Sequence, residues 1–200
     1  MSISDIDYHR FYRLSDPLAN RPLRLDADGA VDGELVWPLS RGEIVPNRPI
    51  RFIASMGRQP APLLWTRLPP LVCVHQCIVD VLSQHGFMGW DVYPVEVRDR
   101  KGELVPDYYG FAITGHGGEV DISRSQLVTK PAPTERGRSY QAYLGIYFHP
   151  ERWDGSDLFF VNGFRIVQER VVKAFKHAKI SNIRFVSLPD VELDAYLFPS

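Results

Sequence analysis

Proline is concentrated in the first 70 residues of this 200-residue chain, which hold more than half of its 16 prolines and end on Pro69-Pro70. Proline fixes φ and has no N–H to donate, so within a strand it is confined to edges or to the first residue. Such a stretch predicts short strands joined by irregular connections. The best candidates are Arg21–Leu25, Leu35–Leu39 and Pro49–Ser55, with Pro22, Pro38 and Pro49 at edges or strand starts. Asp26-Ala27-Asp28-Gly29 reads as a turn between two of them.

Beyond Pro70 the pattern changes. Val74, Ile78, Val81, Leu82 and His85 recur at three- and four-residue steps, which predicts a helix over Val74–His85 closed by Gly86. Trp90–Val97 and Tyr108–Thr114 are rich in aromatic and β-branched residues and flank the turn former Asp99–Gly102, so they predict a hairpin with a longer loop. Ser139–Phe148 alternates with Tyr140, Ala142, Leu144, Ile146 and Phe148 on one face, and Lys130–Arg138 before it reads as a loop. Leu158–Val161 and Phe164–Val167 form a second hairpin around Asn162-Gly163. Val171, Ala174, Phe175 and Ala178 mark a second helix, followed by a strand over Ile183–Leu188.

These elements predict an α+β fold of mostly antiparallel sheets with two or three packed helices. A strand- and proline-rich part, 1–70, and an α+β part, 71–200, are expected to form one unit. A helix-turn-strand unit occurs twice at a constant offset of 93 residues, Ile78 aligning with Val171. Duplication and two independent uses of a common supersecondary element both account for it.

Charge narrows the partners. With 23 Lys+Arg against 24 Asp+Glu and a net charge of −1, the chain has no electrostatic pull toward nucleic acid or an anionic membrane. No apolar run reaches the ~18–20 residues of a membrane span. The opening residues carry no basic region ahead of an apolar stretch, and Cys73 and Cys77 make no disulfide framework, so a reducing cytoplasm is the expected home. The charge is unevenly spread, however: residues 73–123 sum to −5 and residues 124–184 to +6. The two fields either attract each other in the fold or leave an acidic surface that steers a basic partner.

Tests for catalytic and metal motifs fail one by one. Cys73, His75 and Cys77 lack the second ligand pair that a tetrahedral zinc site needs, and His75 would point away from both thiols on a helix. Asp26, Asp28 and Gly29 begin like a calcium loop but continue into Ala30 and Val31 where oxygen ligands are required. His116-Gly117-Gly118 resembles an esterase oxyanion loop, yet no G-x-S-x-G elbow accompanies it. No nucleotide fingerprint is present, and neither a metal nor a cofactor is expected.

Two segments mix aromatic and carboxylate groups, the chemistry of interface anchors. In Trp153-Asp154-Gly155-Ser156-Asp157 the bland reading is a turn that orients Trp153 into the core; the functional one exposes the ring and both acids. In Asp107-Tyr108-Tyr109-Gly110 one tyrosine is buried and the other presented, since neighbours on a strand face opposite sides.

The run Ile78-Val79-Asp80-Val81-Leu82, then Gly86-Phe87-Met88-Gly89-Trp90-Asp91-Val92-Tyr93-Pro94-Val95, is followed by Tyr108-Tyr109-Gly110, Trp153–Phe159 and Val167–Val172. This ordered series, spread over residues 70–190, resembles the eleventh-numbered immunity-protein family of bacterial polymorphic toxin systems, formerly a domain of unknown function. The resemblance implies a cytoplasmic protein that binds a cognate toxin domain and blocks it, with no catalytic residues. Asp107, Tyr108, Trp153, Asp154 and Asp157 are then the candidate partner-binding residues. The alternatives are a small hydrolase or modifying enzyme with a site around His116, Asp121 and Ser123, and a regulatory protein-binding module.

Overall fold

The computed structural model describes residues 6–29, 31, 33–132, 134 and 137–197. Ala30 of the tested calcium loop, and Pro133, Glu135 and Arg136 of the Lys130–Arg138 loop, lie outside them. In chain order the strands and helices are β1 (Phe11–Ser15), β2 (Arg24–Ala27), α1 (Gly33–Arg41), β3 (Ile50–Met56), β4 (Leu63–Thr66), β5 (Val72–His75), α2 (Gln76–Gln84), β6 (Asp91–Arg98), β7 (Leu104–Val105), β8 (Tyr108–Ala112), β9 (Gly115–His116), β10 (Gln126–Lys130), β11 (Tyr140–Leu144), β12 (Leu158–Val161), β13 (Phe164–Gln168), α3 (Glu169–His177), β14 (Arg184–Ser187) and β15 (Glu192–Asp194). The fold is α+β, with mixed and antiparallel sheets.

The first layer is a closed barrel. Strand order runs β3-β2-β4-β5-β8-β6, and β3 also pairs in parallel with β6, so the sheet has no free edge along that seam. Alternate residues Leu25, Phe52, Leu64, Cys73, Tyr93, Val97, Tyr108 and Ala112 form one buried cluster inside it. Gly110 faces Cys73 on one side and Tyr93 on the other. A Cβ built on Gly110 would lie 2.0 Å from the Tyr93 ring, so the bare backbone is what admits that ring.

Val36 and Leu39 of α1 belong to the same cluster. Leu35–Leu39 is therefore helical and not the strand that the proline pattern predicts. The burial of Val36, Leu39 and Ser40 follows helical spacing, and the helix ends in a Schellman motif. Gly42 takes φ +70°, its N–H reaching Leu39 O at 3.2 Å and that of Glu43 reaching Pro38 O at 2.9 Å.

The second layer is the five-stranded sheet β14-β1-β13-β12-β9. Its Leu14, Leu158, Phe160 and Val167 face the outer surface of the barrel, and α2 and α3 fill the space between through Ile78, Val81, Leu82, Val171, Val172 and Phe175. On the reverse face Phe11, Phe159, Val161 and Ile166 pack with Ile146, Phe148 and Leu193 against the third sheet, β10-β11-β15. The expected long strand Ser139–Phe148 stops at Leu144. Gly145 turns the chain at φ +96°, and Ile146 and Phe148 reach the same core from irregular backbone.

The residues up to 70 are woven through these layers: β1 lies between β13 and β14, while β2, β3 and β4 are barrel strands. The repeated unit is larger than the sequence suggests. In both copies a strand leads into a helix and then a second strand, and one antiparallel strand sits between the two: β8 between β5 and β6, β1 between β13 and β14. Gln76 and Glu169, Gln84 and His177, and Asp91 and Arg184 are each separated by 93 residues. This is a split βαβ arrangement used twice.

Gly110→Ala should lower stability by about 1–3 kcal/mol, the usual cost of overpacking a filled interior. Urea denaturation checks this, and unchanged stability would mean that Tyr93 does not lie across the glycine.

Candidate functional site

The five candidate residues separate on the structure. Asp157 is 0% exposed. Its Oδ2 accepts the Met88 N–H at 2.9 Å, and its Oδ1 accepts the Arg170 guanidinium, which also lies 5.4 Å from the centroid of the Phe87 ring. Its backbone N–H donates to Met88 O at 3.0 Å. Asp157 is thus a correction: it joins the turn after α2 to the first turn of α3 and presents no atom to a partner. Tyr108 is corrected in the same way, since it is the inward tyrosine of its pair. Its hydroxyl donates to Ala61 O at 2.8 Å, and burial raises its pKa to about 12. Asp107 is exposed, with φ +64°, and its carbonyl accepts the Gln76 N–H at the start of α2.

Trp153 is half-buried against Phe11, Phe148 and Phe159, with ring centroids 5.3–6.1 Å apart, and its Nε1–H donates to Ser156 O at 3.1 Å. Asp154 is exposed and holds two backbone segments together. Its Oδ2 accepts the His116 N–H at 2.8 Å, its own N–H returns to His116 O at 3.0 Å, and its Oδ1 accepts both the N–H and the hydroxyl of Ser156. Partial burial alone would raise the Asp154 pKa, but these donors outweigh it and hold the carboxyl below its usual 3.8.

The residues of the hydrolase alternative do not converge. Ser123 donates to Asp121 at 2.5 Å, whereas His116 is tied to Asp154 and lines a cleft whose walls include neither. The thiols of the tested metal motif also part: Cys73 is a strand residue inside the barrel and Cys77 a helix residue packed outside it. His75 caps α2, its Nδ1 accepting the Cys77 N–H at 3.2 Å. Among the described residues no three His, Cys, Asp or Glu side chains gather as metal ligands, and no helix is long and apolar enough to cross a membrane.

The cleft that His116 lines, about 790 Å³, opens between the end of α1, β9 and the β12–β13 turn. Trp37, 40% exposed, stands over it. Its indole meets Phe160 edge-on with centroids 6.0 Å apart, and the Arg41 guanidinium lies 5.0 Å from the ring centroid. Gly163 at the turn lets the indole approach, because a Cβ there would lie 2.8 Å from Trp37 Cη2. Glu43, Glu119 and Arg152 add charges of both signs to the walls. Leu35, Ile44 and Val45, near Trp37 in sequence, are also exposed.

Sequence reading missed Trp37 and Arg41 because it assigned their segment to a strand. Read as a helix, Trp37 and Arg41 stand at i, i+4, the spacing that places a cation over a ring on the same face.

Comparison with protein-family models and with curated protein sequences finds no match.

Asp157→Ala should cost about 2–3 kcal/mol, since it strips a charged acceptor from a backbone N–H and a guanidinium. The urea midpoint measures it, and a wild-type midpoint would return Asp157 to the list of surface anchors. Asp154 has a depressed carboxylate, so its contribution is present above its unfolded pKa of 3.8 and lost as pH falls through the lower folded value. Asp154→Asn should therefore flatten the acid limb of the stability–pH profile below pH 3.8, which denaturation at successive pH values reads directly.

Proposed function

We propose that this chain is an immunity protein, acting in the cytoplasm, that binds a cognate bacterial toxin domain and neutralises it without chemistry of its own. Supporting this reading are the ordered series of motifs that resembles the immunity family and the exposed Trp37 above the cleft. Trp37 carries the site assignment. A large ring held by Phe160 and Arg41 is already ordered, so inserting it into a partner loses little conformational entropy. The mixed charges of Glu43, Glu119, Arg152 and Arg41 around it set register with a complementary surface.

The binding surface thus shifts away from the aromatic-acid loop. Trp153 and Asp157 build the scaffold, Tyr108 is inside the barrel, and Asp154 acts on the cleft through the backbone of His116. Asp107 lies beside the start of α2 as a separate acidic point. No ion pair among the described residues joins the acidic 73–123 segment to the basic 124–184 segment, so neither field is neutralised by direct pairing with the other. The acidic segment remains available to steer a basic toxin face.

The test is to look in the neighbouring reading frames for a large secreted protein with a C-terminal toxin domain, co-express that domain with this chain, and titrate the purified pair. Wild type should protect the cell and form a 1:1 complex. Trp37→Ala should weaken it by at least ~30-fold, a loss of about 2 kcal/mol, with little change in melting temperature. Equal affinity of wild type and variant would remove the cleft from the interface, and failure of the pair to associate would remove the immunity function.

A further inference from the structure

A smaller cavity, about 220 Å³, opens where β1, β2 and β13 meet barrel strand β4, and it shares only Gly163 with the Trp37 cleft. Three arginines line it. Arg24 is paired with Asp16 at 2.5 Å, and Asp16 is the one carboxylate among the lining residues. The other two, Arg13 and Arg165, are half-buried and form no ion pair among the described residues. Arg165 lies 5.4 Å from the Trp65 ring centroid and donates to Pro70 O; Arg13 lies 4.8 Å from the centroid of Phe164.

Two guanidinium groups drawn out of water without a carboxylate are a costly arrangement. Desolvation, reinforced by the neighbouring Arg13, lowers the Arg165 pKa to about 10, and desolvation with Arg184 nearby lowers that of Arg13. Both stay charged at neutral pH, so two positive charges face the cavity beyond what Asp16 balances.

We propose that this cavity binds a doubly charged oxyanion of the phosphate-monoester class, gripped between the guanidinium groups of Arg13 and Arg165. The planar N–H fork of each arginine addresses two phosphate oxygens at once. A dianion balances both charges, which a monocarboxylate does not. The volume falls below the ~300–1,000 Å³ of sites for drug-sized molecules, which suits a phosphate group or the phosphate end of a longer ligand. The aromatic faces of Trp65 and Phe164 hold the two guanidinium planes in place from the protein side.

Calorimetric titration of the whole protein with inorganic phosphate at about pH 7.5, where phosphate is largely dianionic, tests this, with acetate and chloride as controls. Wild type should bind phosphate saturably at one site and at least tenfold more tightly than acetate, and phosphate should raise its melting temperature. Arg13→Gln and Arg165→Gln should each weaken phosphate binding at least tenfold, and without phosphate Arg13→Gln should melt no lower than wild type, because it removes an unneutralised charge. Arg13→Gln alone carries the comparison if Arg165→Gln does not fold. Phosphate binding no tighter than acetate or chloride, or unaltered in Arg13→Gln, overturns the proposal. None of these results depends on the Trp37 cleft or on a toxin.

Discussion

The Asp157 carboxylate is the point through which the layers of this protein are locked together. It lies at the start of β12, where it accepts from the turn following α2 and from the first turn of α3, while the Asp157 backbone carbonyl accepts the Gln168 N–H at the end of β13. The approach is close enough that side chains are excluded around it: a Cβ on Gly89 or Gly115 would lie within 2.1 Å of Leu158 O. Thr114 and Gly115 donate to Gly89 O, which carries the same junction into the barrel strand β8 and on to β9. The two split βαβ units are thereby held with α2 against α3, and the apolar core between barrel and sheet is closed. A buried carboxylate with every donor in place is stable; with one removed, the remaining groups are stranded in a water-poor site.

Much of this fold was legible wherever a local pattern and the tertiary environment agree. Ile78, Val81 and Leu82, and Val171 and Phe175, show helical spacing because both helices bury one face in a single core. The β12–β13 hairpin followed from Asn162-Gly163, both at positive φ. Closure of the barrel did not, because parallel pairs such as β2 with β4 and β3 with β6 join residues far apart in sequence and leave no turn signature. Strands β4 and β5 are buried on both faces, so Leu63–Thr66 and Val72–Val74 lack alternation, and β5 runs straight into α2, so that its last two residues, Val74 and His75, were read as the start of the helix. Pro38 hid α1. One missing N–H is tolerated in a nine-residue helix whose buried face plugs the barrel.

The candidate site was only partly legible for a related reason. An acid beside an aromatic reads the same whether it faces a partner or its own backbone. In Trp153–Asp157 the geometry is internal: the ring joins the Phe11, Phe148 and Phe159 cluster, and both acids accept backbone N–H groups. The effect of the loop on the surface is indirect. Asp154 fixes the His116 backbone, His116 forms one wall of the cleft, and Trp37 stands over the same cleft from α1. Scaffold and proposed interface are therefore adjacent but carried by different residues.

That division of roles is most directly measured by hydrogen–deuterium exchange of the free protein and of its complex with the proposed toxin partner. Residues 33–45 and 113–119 should gain protection on binding, while amides of 156–158 should already exchange slowly when free and change little. New protection at 107–109 or 153–158, with residues 33–45 unaffected, would contradict it and return the aromatic-acid loops to the interface.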